Sequence, residues 1–600
     1  FPTRRSSDLY TVSVRASGTV MAEGGEVRLS QNLGANQREL LPVTLMAQGA
    51  GIGTINLTLE GPGGMKIDRA WPIEVRPAQL TQSVDEVATL APGASYALPN
   101  SILSQFVPGS TSLSINVSSV QGYDNVAGML KWLDRYPYGC LEQTTSGAMP
   151  LLVFNDVAGA AGLRVDAAMH ERVQGAIDRI FDMQQWSGGF GMWSHLGDEA
   201  DTFIGAFAID FLMRAKAEGT YVVPQEGIDR AMKWLRGVAS SEGRSSMARA
   251  YAYYLLARSG QVIPGDLRYF ADTSGPSIGN PLADGMLGAA LLSIGDRSRA
   301  SIAFARARDG ALAAQPITYI STSYGSMLRD VSGLTAVAAE VNDNSLVLQL
   351  LNRTREFNLS LNYTTTQEKA WMLLAQRQLL AQAQPVSISL SGTTAETGGN
   401  AVTILPTDAE VAGGVTVTNT GTTTLYRTVS VSGSPAAPLP PMSAGMSVNK
   451  TILALDGTPL NLATMRQNDR AIVVISGQMA NNLFREMAVL DLLPAGWEIE
   501  GPVRRNEDGS SVYPFLPELA AATSVVARDD RFVSTFTIGS TWRSSDPNTN
   551  QVRPVFTVAY VVRAITPGNF TVPAAQVEDM YAPQIMGRTA LSAVTIAEAD

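Results

Sequence analysis

The sequence predicts a multidomain α+β protein in which a block of helices interrupts a β domain. Three observations carry this prediction. The chain has 600 residues, strand-like alternation occurs towards both ends, and helical periodicity fills the stretch between them. A chain of this length corresponds to about four domains of typical size. Strands on both sides of one helical block indicate that the two halves of a β domain pair across it.

The first nine residues differ from the rest of the chain. Phe1–Leu9, FPTRRSSDL, carries charges without apolar periodicity, and a strand pattern begins only at Tyr10. We expect this segment to be a non-native adapter sequence, and a disordered native terminus is the alternative. Under the first interpretation the natural N-terminus lies upstream, so the lack of a signal peptide says nothing about the compartment.

Residues 10–82 have the texture of a β domain. Apolar residues alternate with polar ones in Val27–Leu29, Leu41–Leu45 and Ile55–Leu59, with glycine-rich turns between them. The following residues, 83–118, end in a further strand pattern. We interpret them as the first half of the interrupted β domain.

Residues 119–384 switch to helical periodicity. Apolar residues recur at spacings of three and four, and short Gly, Ser or Pro breaks separate the segments. The clearest segments are Met169–Ile180, Phe203–Phe211, Met247–Leu255, Leu282–Ile294 and Ala370–Leu380. So long a run of helical hairpins indicates a closed or stacked α/α array rather than a simple bundle.

Strand alternation resumes after the helices. Val386–Leu390 opens residues 385–440, which we interpret as the second half of the interrupted β domain. A proline-rich joint, Pro435–Met442, leads into the last β domain. That domain is predicted to occupy residues 441–600.

Composition excludes several classes of function. The formal charge is −10, from 44 Lys and Arg against 54 Asp and Glu, which argues against a nucleic-acid partner or a polybasic membrane anchor. A single cysteine, Cys140, excludes intrachain disulfides and cysteine-rich zinc sites. The two histidines, His170 and His195, exclude metal sites built on several imidazoles. We therefore expect no metal and no cofactor.

The stretch that carries chemistry is Tyr136–Ser146, YPYGCLEQTTS. Pro137 and Gly139 favour a tight bend ahead of an apolar helix, which would place Cys140 near a helix N-terminus, where the pKa of a thiol is lowered. The (i, i+3) spacing brings the thiol and the Gln143 carboxamide to one face of a turn. Attack of the thiolate on the carboxamide carbonyl, with loss of ammonia, gives an internal thioester.

The segment PYGCLEQT resembles the thioester signature of the α2-macroglobulin and complement family, specifically of its bacterial branch. The resemblance extends over Tyr10–Asp600. Further segments that resemble this branch, each weaker alone, are Val75–Pro77, Gly188–Phe190 with Trp193, Tyr324–Ser326, Thr366–Glu368, Asp491–Gly496, Asp529–Phe532 and Met580–Tyr581.

The resemblance implies an architecture. An α/α-toroid thioester domain, residues 119–384, would be inserted in a split CUB-type β-sandwich, residues 83–118 and 385–440. Macroglobulin-like β-sandwich domains, residues 10–82 and 441–600, would flank it.

The resemblance also implies a function, which is broad-spectrum inhibition of endopeptidases by trapping. A protease cuts a bait region, the molecule rearranges, and the exposed thioester acylates a lysine of the protease. Gln143 supplies the acyl carbon and Cys140 is the leaving group. The bond is used once, so the resemblance implies an inhibitor and not an enzyme. We expect the bait upstream of Tyr10.

A thioester hydrolyses in water, so the resting protein must keep it dry. In bacterial members a tyrosine shortly before the cysteine and a methionine in a C-terminal loop shield the bond. By position these are Tyr136 and Met580. An apolar lid from another domain would explain how distant cleavage exposes the bond. The alternative is that Tyr136 is a core aromatic residue and Met580 a surface strand residue.

His195 follows the Gly-Gly-Phe segment. In some complement proteins a histidine of this region attacks the thioester first, and His195 is therefore a candidate modulator of acyl transfer. Its spacing departs from that pattern, so an ordinary loop histidine is the alternative. His170, beside Glu171, is interpreted as a solvated residue at the start of a helix.

Two other functions compete with the trap. A cysteine hydrolase or acyltransferase would use Cys140 as a turnover nucleophile, with His195 and Asp198 as base and orienting group. Gln143 would then have no role. A surface adhesin would use the thioester to anchor the cell to a host.

Location and partners are implied by the resemblance alone. It implies a periplasmic protein, with a lipoprotein anchor in the inner membrane and a cell-wall synthesis partner reached through the part upstream. Proteases are the expected partners, by covalent capture, and we expect a monomer.

Overall fold

The computed structural model describes residues 8–34, 36–119, 129, 133, 139–153, 168–196, 199–315, 323–360, 364–382, 384–395, 397, 399–539 and 554–599. Within these residues the chain forms 26 β-strands and twelve α-helices. None of these helices has the length and the apolar character needed to span a bilayer.

The first β unit is built on a four-stranded antiparallel sheet in the order β3-β1-β5-β6, and β2 pairs with β4. Its strands are β1 (Asp8–Ser17), β2 (Val20–Ala22), β3 (Val27–Leu33), β4 (Leu45–Ala47), β5 (Gly51–Gly61) and β6 (Met65–Val75).

Two features of this unit differ from the sequence patterns. Strand β1 includes Asp8, which pairs with Leu33, so the described strand starts two residues before the pattern at Tyr10. The interpretation of Phe1–Leu9 as non-native stays a prediction. The strand expected over Leu41–Leu45 is absent, and β4 begins only at its last residue. Pro42 supplies a reason, because it has no N–H to donate to a ladder.

The second β unit combines strands from both sides of the helical block. Before the helices lie β7 (Gln82–Leu90), β8 (Ser95–Ala97) and β9 (Ser112–Ser118), and after them β10 (Ile388–Ser391), β11 (Ala401–Ile404), β12 (Thr416–Asn419) and β13 (Leu425–Gly433). One sheet has the order β11-β9-β13-β7 and the other β10-β12-β8. Both sheets therefore contain strands from both segments. Alternating apolar residues, such as Ile115, Val117, Val402 and Val417, fill the space between them.

The helices are α1 (Leu141–Ala148), α2 (Ala168–Asp182), α3 (Thr202–Glu218), α4 (Gln225–Ser240), α5 (Ser246–Arg258), α6 (Pro264–Thr273), α7 (Pro281–Ser293), α8 (Arg297–Ala313), α9 (Met327–Glu340), α10 (Asn344–Ser360), α11 (Thr366–Gln382) and α12 (Asp408–Gly413). All except α12 belong to the block between β9 and β10.

The odd-numbered helices of this block form a closed ring. Helix α1 packs on α3, α3 on α5, α5 on α7, α7 on α9, α9 on α11, and α11 returns to α1. The even-numbered helices lie outside this ring. Helices α3 and α7 are apolar on nearly every side and are buried on every side, as inner helices must be. Helix α8, in contrast, buries one row of alanines, Ala300, Ala303, Ala307 and Ala311.

The last β unit carries the strands β14 (Met442–Ala444), β15 (Met446–Leu453), β16 (Met465–Arg466), β17 (Arg470–Met479), β18 (Arg485–Leu492), β19 (Trp497–Pro502), β20 (Ala522–Ala527), β21 (Arg531–Ile538), β22 (Val555–Ala564), β23 (Gly568–Val572), β24 (Ala575–Asp579), β25 (Met586–Arg588) and β26 (Ser592–Ala597). Its sheets have the orders β14-β25-β24-β18-β21-β20, β15-β17-β22-β19 and β16-β26-β23.

A small apolar cluster joins this last unit to the helical ring. Met580 and Tyr581, directly after β24, are buried together with Leu490, while Trp193 and Tyr324 of the helical block pack against them. The rings of Tyr324 and Tyr581 lie 4.9 Å apart at 51°. The end of β24 is thus held against the rim of the ring, where α1 begins.

Candidate functional site

Cys140 is the N-cap residue of α1, in extended conformation with φ −72° and ψ 168°. Its Sγ accepts a hydrogen bond from the backbone N–H of Gln143 at 3.5 Å. The next residue, Leu141, donates its N–H to the carbonyl of Met192 at 2.7 Å. The helix cap and the hydrogen bond to Met192 therefore hold the thiol and Gln143 one turn apart, on the face expected from their spacing.

Met580 covers this pair. The Gln143 amide nitrogen, Nε2, lies 3.9 Å from the Met580 Sδ, and both side chains are 5% exposed. The Gln143 Oε1 is buried and accepts no hydrogen bond from the described residues. The structure thus brings together three of the residues singled out from the sequence. Tyr136, the fourth, lies outside the described residues.

The expectation of an acidic thiol is wrong. Burial raises the pKa of the Cys140 thiol well above its usual 9.0, and the Glu142 and Glu486 carboxyl groups raise it further. The N–H groups of Gln143 and Glu142 lower it by less. Cys140 does cap a helix, but complete removal from water outweighs the helix N-terminus. A free thiol here would stay protonated at neutral pH.

Glu142 ties α1 to α11 underneath the pair. It is fully buried and accepts hydrogen bonds from Ser146 at 2.6 Å and from the Thr366 hydroxyl at 2.8 Å. Burial raises the pKa of Glu142 from its usual 4.5 to about 7, although these hydrogen bonds oppose the shift. This contact joins the first turn of α1 to the first turn of α11, the two helices that close the ring.

We expect Glu142→Gln to stabilise the helical unit at alkaline pH. Because the folded-state pKa is raised, the stability due to Glu142 is fully present below its unfolded-state pKa and is lost as the pH rises through about 7. The uncharged amide should recover up to about 3 kcal/mol at about pH 8.5 and little at about pH 4.5. Thermal unfolding followed by circular dichroism measures this difference. Glu242→Gln, an exposed change, is the control and should show neither effect.

A buried network supports the loop that carries Tyr324. Arg329, fully buried, donates to Asp330 at 2.5 Å, to the Gln367 Oε1 at 2.7 Å and to the Ser323 hydroxyl at 2.8 Å. Gln367 in turn donates to the Tyr324 carbonyl at 2.9 Å. Tyr324 has a positive φ of 53°, which is uncommon for a large residue. The network therefore holds a strained backbone that presents the tyrosine to Tyr581.

His195 lies apart from this arrangement. Its side chain is exposed, in the loop after Trp193, and within the described ranges no hydrogen bond joins it to Cys140 or Gln143. Asp198, its partner in the hydrolase hypothesis, lies outside the described residues. His170 is exposed, as expected, and stacks on Tyr221 at 4.8 Å. Across the described part of the chain, no cluster of three or more His, Cys, Asp or Glu could hold a metal ion.

The sequence alone does not assign a role to several residues of the site. Tyr324, Gln367 and Tyr581 fall in segments that resemble the family, but the resemblance does not explain them. Glu142 lies inside the segment PYGCLEQT, which does not reveal its buried contacts. Neither Arg329 nor Glu486 carried a local signal, since their roles arise only from contacts between distant elements.

A family model and two curated relatives match the chain. The model of the bacterial alpha-2-macroglobulin MG10 domain matches residues 445–584. The alpha-2-macroglobulin of Escherichia coli strain K12 is 32% identical over 575 residues, which is 89% of this chain and 33% of that protein. The alpha-2-macroglobulin of Xylella fastidiosa strain Temecula1 is 28% identical over 98% of this chain and 37% of its own length. The chain thus spans about a third of these relatives.

Solved structures match it as well. The crystal structure of native E. coli alpha-2-macroglobulin from domain MG7 to the C-terminus has a TM-score of 0.81 at 27% identity, covering 99% of this chain and 95% of that one. Salmonella alpha-2-macroglobulin reacted with methylamine has a TM-score of 0.82 at 28% identity, covering 99% of this chain and 39% of that chain.

Proposed function

Because the chain belongs to the bacterial alpha-2-macroglobulins, we propose that it carries the reactive thioester of a protease trap. The observation that carries this proposal is the buried pairing of Cys140 and Gln143 beneath Met580. We further propose that the helical ring is the α/α toroid of this family. The split β unit would be its CUB-type sandwich, and the first and last β units macroglobulin-like domains.

The chemistry uses groups of this chain alone. The Cys140 sulfur attacks the Gln143 side-chain carbonyl carbon, and ammonia leaves as the thioester forms. A lysine amine of a bound protease later attacks the same carbon, an amide forms, and the Cys140 thiolate leaves and is protonated. Each molecule therefore reacts once, which is inhibition by capture rather than turnover. No cofactor is needed.

One feature of the site supports a thioester. Loss of ammonia would remove the buried NH2 group that faces the Met580 sulfur.

The competing hydrolase has less support. A turnover cysteine needs a base beside it and a thiol that ionises, whereas His195 is exposed and burial raises the pKa of Cys140. No feature of the site favours an adhesin over a trap.

Location and partners are proposed on the same family premise. Proteases are the partners that a lysine-acylating thioester serves. We propose a periplasmic, monomeric protein, tethered at the inner membrane near a cell-wall synthesis partner through its upstream part.

The test is an intact mass measurement. Freshly purified protein should be lighter than its sequence mass by one ammonia and should contain no titratable thiol. Methylamine should release one thiol per chain and add one amine at Gln143, which peptide mapping locates. Cys140→Ala is the control and should show neither the mass deficit nor amine uptake. A Cys140 that alkylates readily in untreated, folded protein would contradict the proposal.

A further inference from the structure

Glu486 connects the β unit that carries the Met580 lid to the helical block. It lies on β18, beside β24, and its carbonyl accepts the backbone N–H of Met580 at 2.9 Å. Its carboxyl group accepts a hydrogen bond from the Tyr324 hydroxyl of the helical block. Glu486 therefore binds the Met580 backbone through its main chain and Tyr324 of the helical block through its side chain.

Tyr324 is presented to this contact by a fixed backbone. Its φ of 53° is held by the hydrogen bond from Gln367 to its carbonyl, and its ring packs on Tyr581 at 4.9 Å. We call Glu486, Tyr324 and Tyr581 the latch. The latch joins the two units directly beside Met580, which itself touches Gln143.

The surroundings of Glu486 are acidic. Asp579 of β24 faces it and forms an ion pair with Arg485 at 2.8 Å. Asp201, which caps α3, and Glu142 of α1 act on it electrostatically from the helical block. The Cys140 thiol and the Tyr581 hydroxyl also interact electrostatically with it. The adjacent cation along β18 is Arg485, which pairs with Asp579.

We propose that Glu486 is a positioning residue for the Met580 lid, joining lid and ring while protonated and loosening the lid when it ionises. The proposal rests on the proposed function, because the bond under the lid is the thioester.

The direction of the effect follows from burial and like charges. Burial raises the pKa of Glu486 from its usual 4.5 to about 7. The hydrogen bond from Tyr324 opposes this shift, and the like charges of Asp579, Asp201 and Glu142 add to it. When the units separate, water reaches the carboxyl group and its pKa returns towards the usual value. The closed form therefore binds the proton more tightly, and raising the pH towards and beyond 7 favours opening. Glu486 and Asp579 also line one cleft.

The experiment measures access to the thioester against pH. Methoxyamine is the probe, because its amine is uncharged from about pH 5.5 to about pH 8.5. Thiol release is followed for wild type, Glu486→Gln, Tyr324→Phe and Glu498→Gln, each rate being divided by that of a small alkyl thioester at the same pH. The glutamine at 486 keeps the hydrogen-bond acceptor and cannot ionise. Glu498 is exposed on the same β unit and serves as the matched control.

The wild-type rate should rise about tenfold or more across this range, with a midpoint near pH 7. Glu486→Gln should stay near the low-pH rate throughout, and Glu498→Gln should follow wild type. Tyr324→Phe, which keeps the ring and loses the hydroxyl, should react up to about tenfold faster even at low pH. A pH-independent wild type, or a Glu486→Gln profile that rises like wild type, would overturn the proposal.

Absence of the thioester would be detected separately, in the intact mass. If the wild-type mass lacks the ammonia deficit, the proposed function is wrong, and the same variants are then compared by alkylation of the Cys140 thiol. If the alkylation rate of Glu486→Gln divided by that of wild type falls as the pH rises, the latch is still supported. A ratio of the two rates that stays constant with pH would overturn it.

Discussion

Met580→Ala is expected to react with methylamine about 10 to 100 times faster than wild type and to lose the proposed thioester correspondingly faster on storage. The Met580 sulfur lies 3.9 Å from the Gln143 side chain, and the side chain is buried at the contact between the two units. Truncation removes about 1.5–3 kcal/mol of apolar burial from the closed arrangement and leaves a cavity over the bond. Water and small amines then reach the acyl carbon in uncleaved protein.

The matched control is Met479→Ala, a buried methionine in the core of the same β unit. It should lower the stability of that unit by a similar or larger amount without a selective increase in amine reactivity. Rates are measured from thiol release, and the remaining thioester from the intact mass. If Met580→Ala keeps the wild-type rate, the last β unit does not shield the bond, and a lid within the helical block, such as Tyr136, is required.

Much of the fold was predictable because local patterns report burial. Helical periodicity over Phe203–Phe211 and Leu282–Ile294 predicts α3 and α7, and the strand patterns flanking the helical block predict a split β unit. The pairing across that block, for example Val402 of β11 with Val117 of β9, is a long-range contact that periodicity cannot specify. The same applies to the closure of the ring by α1 and α11.

The site was predictable where one stretch of chain carries the chemistry. Cys140 and Gln143 stand three residues apart, so spacing and resemblance sufficed. Met580 is 437 residues from Gln143 and was located by resemblance alone. Glu486 was missed, since a glutamate on a strand has no special pattern until the fold brings it to Tyr324. The thiol pKa was misjudged because burial of the helix N-terminus is not visible in the sequence.

Arg329→Met is expected to destabilise the helical unit by about 3–5 kcal/mol, which for a domain of this size lowers its unfolding midpoint by roughly 10 °C. The guanidinium is fully buried, pairs with Asp330 and packs 4.8 Å from the Phe203 ring. Methionine fills similar volume but leaves the Asp330 carboxylate buried with Asn280 as its remaining side-chain donor among the described residues. Removing one partner of a buried ion pair costs far more folding stability than removing one partner of an exposed ion pair.

The same change should also make the proposed thioester more accessible. Without Arg329, Gln367 loses the contact that orients it, and the Tyr324 carbonyl loses a fixed donor. The lid then loosens, so methylamine should react faster at a temperature where the protein is still folded. Arg308→Met is the control, because the Arg308–Asp309 pair is exposed and should contribute less than about 1 kcal/mol. An Arg329→Met protein with the same unfolding midpoint as this control would show that the buried network does not stabilise the Tyr324 loop. Unchanged amine reactivity would show that the Tyr324 loop does not hold the Met580 lid in place.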